Sequence, residues 1–143
     1  MSATYDGDVV AWANEQAALL RARRFDLLDI EHIADEVEDV GKSEERELAS
    51  RMAVLIAHLL KWTFQPHRRG RSWRATISLQ RKAIERRLQR TPSLKSELDD
   101  PEWRAIVWGD GVTIAAQETG LGDLPEEPLW SFDRIRDPGF MPD

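Results

Sequence analysis

Two segments of the sequence hold side chains whose types and spacing could do chemistry. In "HIADEVED", residues 32 to 39, His32 and Glu36 stand one helical turn apart and Glu36, Glu38 and Asp39 crowd together; Glu97 and Asp100 form a second acidic pair downstream. Carboxylates on neighbouring helices could hold magnesium and assist hydrolysis of a phosphorylated compound, provided that enough oxygens converge to satisfy a hard cation. Short acid clusters are also common on solvated helix faces, so the pattern assigns no catalytic residue, metal ligand or cofactor. Gly41-Lys42-Ser43 repeats the end of a phosphate-binding loop. The position five before Gly41 is Glu36 rather than glycine, however, and what precedes it reads as helix, which removes that chemistry.

The second segment is basic. Residues 61 to 95 carry eleven Lys or Arg and one carboxylate, Glu85, whereas residues 26 to 47 carry ten acids and two bases. Arg68, Arg69, Arg71, Arg74, Arg86 and Arg87, interleaved with Trp73, have the composition of a nucleic-acid contact surface. Phosphate binding needs bases left free, and an acidic helix in the same small chain would compete for them. Internal pairing is therefore the preferred reading, and nucleic acid is the disfavoured partner.

A helical wheel sharpens this. After Trp73 the apolar stripe jumps from Ile77 to Ile84, and Gln80 and Arg81 fill the turn where apolar residues are expected. Arg81 is thus expected at the core edge, where a guanidinium needs a carboxylate partner, with Glu36 or Glu47 as candidates. Glu47 and His58 lie on one polar flank of residues 43–65, and Glu36 lies on the flank formed by Asp29, His32 and Asp39. The expectation is one polar cluster of Glu36, Glu47, His58, Gln80 and Arg81. Such a network fixes helix register in the first instance and forms a ligand pocket in the second. Glu118 sits in a final helical turn, where the macrodipole disfavours acids, so either a basic partner or a surface position is expected for it.

The elements that must position these groups are all helical. Asp8 caps a first helix with Val9, Trp12, Gln16 and Leu19 in helical register, and Asp29 caps a second with the stripe Ile30, Ile33, Val37 and Val40, ended or kinked at Gly41. Ser43 is expected to cap a third, carrying Leu48, Met52, Leu55, Leu59 and Trp62, which Gln65-Pro66 terminates. A fourth begins at Ser72, a short one follows Thr91-Pro92, and another runs from Asp100-Pro101 to a Gly120 cap. Gly109 and Gly111 inside it permit close helix approach, a kink or ligand access. An extended tail from Leu121 is expected to pack Leu129, Trp130, Phe132 and Ile135 onto the body, with one turn at "SFDRI". No alternation of period two persists, so the fold class is an all-α, single-domain bundle over residues 1–143, with about four long helices, short helices and an extended C-terminal tail.

Composition bounds the rest. The 143 residues are 41% hydrophobic and 32% charged with net charge −6, and the longest strongly apolar run, Met52 to Leu60, is too short to cross a bilayer. The start "MSATYDGDVVAW" places acids where a signal peptide would place bases, so the expected location is cytoplasmic. Without cysteine there is no disulfide, thiolate zinc site or cysteine nucleophile.

The blocks "IADEVEDVGKSEERELASR", "LIAHLLKWTFQPHRRGRSW", "TISLQRKAIERRL" and "TPSLKSEL" resemble the bacterial domain-of-unknown-function family 29 over nearly the whole chain. The resemblance implies a compact helical protein and brings no established activity; its characteristic blocks include Glu36, His58, Gln80 and Arg81. The expected function is a non-enzymatic module that binds an unknown protein partner, without membrane association. The alternatives are a magnesium-dependent hydrolase of phosphorylated compounds and a nucleic-acid binder using the basic segment.

Overall fold

A computed structural model of the chain describes residues 3–143. Its helices are α1 (Val9–Arg21), α2 (Ile30–Phe64), α3 (Arg71–Arg90), α4 (Pro101–Thr119) and α5 (Phe132–Arg136), with short 3₁₀ helices at Phe25–Leu27, Pro66–Arg68 and Pro92–Asp99. No strand occurs among the described residues. The termini follow local chemistry. Asp8 accepts from the Ala11 amide and Asp100 from the Glu102 amide, each satisfying an amide that the first helical turn leaves without a partner. Pro66 allows α2 no further than Phe64, Gly120 takes the left-handed conformation (φ 76°) that ends α4, and Ser131 caps α5 by accepting from the Arg134 amide.

One expected boundary is absent. Residues 30–64 form a single helix of 35 residues, so Gly41 does not end it and Ser43 is not a cap. Gly41 is exposed with open space where a Cβ would stand. An interior glycine costs about 1 kcal/mol relative to alanine, which a long run of helix-forming neighbours overrides in the absence of a proline.

The chain divides into two compact units, residues 1–44 and 45–143, with the boundary inside α2. In the second unit, Leu48, Met52, Leu55, Ile56, Leu59 and Leu60 are fully buried, in one cluster with Ile77, Ile84 and Leu88 of α3, Leu94 and Leu98, Val107 and Trp108 of α4, and Phe132 and Ile135 of α5. At Gly111 α4 packs close against α2: a Cβ there would lie 2.5 Å from Ile56 Cγ2 and 3.1 Å from the Ala53 carbonyl. Trp108 is fully buried, and its indole donates to the Pro125 carbonyl at 2.9 Å, which ties down the segment after α4. Trp130 packs against this core, but Leu129 stays exposed rather than joining it.

The first unit is built differently. Among residues 3–44 only Trp12 and Gln16 are buried. The expected apolar stripe of α2's first half is not a core element: Ile30, Val37 and Val40 are 64%, 67% and 69% exposed, and Ile33 is half-buried.

Candidate functional site

In the first unit, polar and aromatic groups take the place of a hydrophobic core. Asp29, at the start of α2, accepts from the Trp12 indole at 2.9 Å and pairs with His32 Nδ1 at 2.7 Å, while its backbone amide donates to the buried Gln16 side chain at 2.9 Å. The Tyr5 ring stacks on His32 (centroids 4.2 Å, 11° between planes) and meets Trp12 edge-on, and its hydroxyl donates to Glu36. The hydrogen bond from His32 holds the Asp29 carboxyl below its usual range, and Asp29 in turn raises His32. Tyr5 is pushed up to about 12, first by its bond to Glu36, because ionising the phenol would set two anions against each other. A cavity of about 350 Å³ opens beside this network, lined among others by Tyr5, Trp12, Asp29 and His32. Asp29, His32 and Glu36 were legible as a polar flank of the helix. Tyr5, Trp12 and Gln16 as its partners were not; the only signal is the Tyr5-Asp6-Gly7-Asp8 lead into α1.

The five residues expected to form one cluster are distributed over several local networks. Glu36 is taken up by Tyr5. Glu47 and Gln80 are linked through Arg51, which lies 2.9 Å from Glu47 and donates to Gln80 at 3.3 Å, while Arg87 approaches Glu47 at 3.8 Å. His58 hydrogen-bonds the Val54 carbonyl one turn back at 2.9 Å, and burial pushes its pKa down. Nearby on the same helix, Lys61 is 8% exposed, pairs with Glu118 of α4 and stands 5.8 Å from the centre of the Trp73 ring. Glu118 thus has its basic partner.

Arg81 is buried, 4% exposed, but its fixed contact is neither Glu36 nor Glu47: Nε donates to the Ile135 carbonyl in α5 at 2.8 Å. The reason is topological, since α5 closes over the turn of α3 where the apolar stripe is interrupted, and a main-chain carbonyl there needs a donor. Arg81 Nη2 is buried with no hydrogen-bond partner. Leaving such a donor unmet costs about 1–3 kcal/mol. Burial also weakens the guanidinium's hold on its proton, opposed by the charge of Asp137.

Three of the six candidate basic-surface residues are engaged by other residues of the chain. Arg69 donates to the Trp62 carbonyl at 2.7 Å, Arg69 and Arg74 stand 5.1 and 4.8 Å from the Trp62 ring centre, and Arg87 faces Glu47. Arg68, Arg71 and Arg86 are exposed and form no ion pair among the described residues. Among those residues, too, no three His, Asp or Glu side chains come together as ligands for a metal. Glu97 of the second acidic pair is raised by burial, reinforced by Glu45 and Asp100.

A family model described as "Domain of unknown function DUF29" matches residues 4–141. The chain belongs to the DUF29 family. No curated protein and no solved structure matches it. No helix of this DUF29 protein, among the described residues, is long and apolar enough to cross a membrane.

The seam of α2 is a further feature of this DUF29 chain with geometry suited to a task. Ile30, Ile33, Val37 and Val40 follow one another in three- and four-residue steps, as Leu48, Met52, Leu55 and Leu59 do later in α2. The later set is fully buried, whereas most of the earlier set faces water. The exposed stretch spans about 15 Å of helix axis.

Proposed function

We propose that this DUF29 chain is a protein-interaction module whose docking surface is the α2 seam at Ile30, Val37 and Val40, and that the occupant is a basic amphipathic helix of another protein. The observation that carries the reading is the exposure of these three apolar residues, spaced three and seven residues apart along one helix. Charge selects the partner. Residues 1–44 hold eleven carboxylates against four bases, net −7, while the rest of the chain has net charge +1. A second copy presenting the same acidic flanks would be repelled, whereas a helix with Lys and Arg beside its apolar row would be attracted and oriented. The hydrolase and nucleic-acid readings have less behind them, given the contacts that engage Arg69, Arg74 and Arg87 within the chain and the lack of a converging acid group among the described residues.

The test uses the purified chain and two synthetic helical peptides with the same apolar row, one flanked by Lys and one by Glu. The Lys peptide should bind with an affinity that weakens as salt rises, the Glu peptide should not, and Val37→Asp with Val40→Asp should abolish binding while leaving the helical content intact. Equal binding by that variant, or none by the wild type, would sink the reading. A stable homodimer that the same variant dissociates would make a second copy the occupant and overturn the charge argument.

A further inference from the structure

A second cavity, of about 350 Å³, lies beside α3 and the segment after α5, and its walls include Arg81, Lys82, Arg86, Arg136, Glu85 and Pro138. Its charge is unbalanced. The one carboxylate in the wall, Glu85, is already engaged, accepting from Arg136 Nε at 3.0 Å and Nη2 at 2.8 Å. Lys82 and Arg86 are exposed and have no ion-pair partner among the described residues. Arg81 is held in place through Nε by the Ile135 carbonyl, has a buried Nη2 without an acceptor, and makes no ion pair. Asp137 is near enough to act on Arg81 through its charge, but it lies outside the wall, and its Oδ1 accepts from the Gly139 amide at 2.9 Å. The cavity therefore offers three cationic side chains to one occupant, one of them buried and held by a hydrogen bond and two exposed.

We propose that this cavity binds a small phosphate monoester. A guanidinium and two further cations match a dianion with several acceptor oxygens, whereas a monocarboxylate would leave most of the charge unmet. The volume falls in the range of small-molecule sites and exceeds what a bare phosphate fills, and Pro138 and the alkyl stem of Lys82 supply a wall for the organic part. Arg81 fixes the position of the phosphate because it cannot swing away, while Lys82 and Arg86 add attraction. This site lies within residues 45–143 and is independent of the seam proposed above.

The experiment is an amide NMR titration of the full chain with phenyl phosphate at constant ionic strength, with inorganic phosphate and acetate in parallel. Saturable shifts are expected at residues 78–89 and 135–138, tighter for phenyl phosphate than for inorganic phosphate and absent with acetate. Lys82→Ala with Arg86→Ala, both at exposed positions, should raise the Kd about tenfold or more. Arg81→Met should abolish binding; if it fails to fold, the rim variant alone decides. The proposal is overturned by an absence of saturable shifts, by equal shifts with acetate, by an unchanged Kd in the rim variant, or by binding seen only with an oligonucleotide.

Discussion

Gly109 and Gly111, two residues apart in one helix, should respond to alanine with opposite signs. At Gly111 the new methyl would stand 2.5 Å from Ile56 Cγ2, 2.8 Å from Ile56 Cβ and 3.1 Å from the Ala53 carbonyl oxygen. Carbon atoms settle at about 3.5–4.0 Å, so α4 and α2 must separate by roughly 1 Å. The obstacle is a branched Cβ and a main-chain oxygen rather than a side-chain tip, so no rotamer change relieves it. Overpacking of this kind costs about 1–3 kcal/mol, and helix propensity returns about 1 kcal/mol of that. At Gly109 nothing lies within 4 Å of the added methyl and the position is exposed, so only the propensity gain of about 0.5–1 kcal/mol remains. With a change of about 3 °C in Tm for each kcal/mol in a chain of this size, Gly109→Ala should melt roughly 2 °C higher and Gly111→Ala up to about 6 °C lower. Thermal unfolding followed by far-UV circular dichroism reads both. Equal shifts of the two variants, or a stabilised Gly111→Ala, would refute the assignment of Gly111 as the contact point between α4 and α2.

Two further outcomes follow from the titratable groups. Tyr5 is the sole tyrosine, so its ultraviolet titration reads one site: the apparent pKa should be about 12 and should fall toward 10.0 in Glu36→Ala, staying above it by what burial, Asp35 and Asp39 contribute; a wild-type value near 10 would break the Tyr5–Glu36 bond. Imidazole resonances should place His58 below the ordinary 6.5 and His32 above it. For His58, whose folded pKa is depressed by burial, the contribution to stability is present above 6.5 and is lost as pH falls through the folded value; for His32, raised by Asp29, it is present below 6.5 and is lost as pH rises through the folded value. His58→Gln should flatten the acid side of a stability profile, and a reversed order of the two resonances would contradict both assignments.

The all-α class, the caps at Asp8, Asp29 and Asp100, the stop at Pro66 and the Gly120 terminus were legible because each rests on chemistry within a few residues. Burial of Arg81 was legible for a similar reason, since an interrupted stripe is a local pattern. Its partner was not. Choosing Glu47 or Glu36 over a carbonyl in α5 requires knowing which element closes over α3, and that depends on contacts across 54 residues. The reach of α2 was misjudged because Gly41 and Ser43 carry boundary chemistry that a long helix can ignore. The stripe from Ile30 to Val40 was legible as apolar but its exposure was not, because periodicity shows that a face is apolar and not what covers it.

The uneven burial along α2 means that one hydrogen-bonded rod carries two stabilities. Amide exchange with deuterated solvent reports how often each peptide opens, and opening is opposed where neighbouring side chains must come apart with it. The peptides from Met52 to Trp62 are tied to a core and should be protected for as long as the second unit remains folded. Those from Glu31 to Asp39 include no buried residue, with Tyr5 packed on His32 and bonded to Glu36, and should lose their protons long before. An occupant on Ile30, Val37 and Val40 would slow that early exchange, so the rate in the first half of α2 can serve as a label-free signal of occupancy.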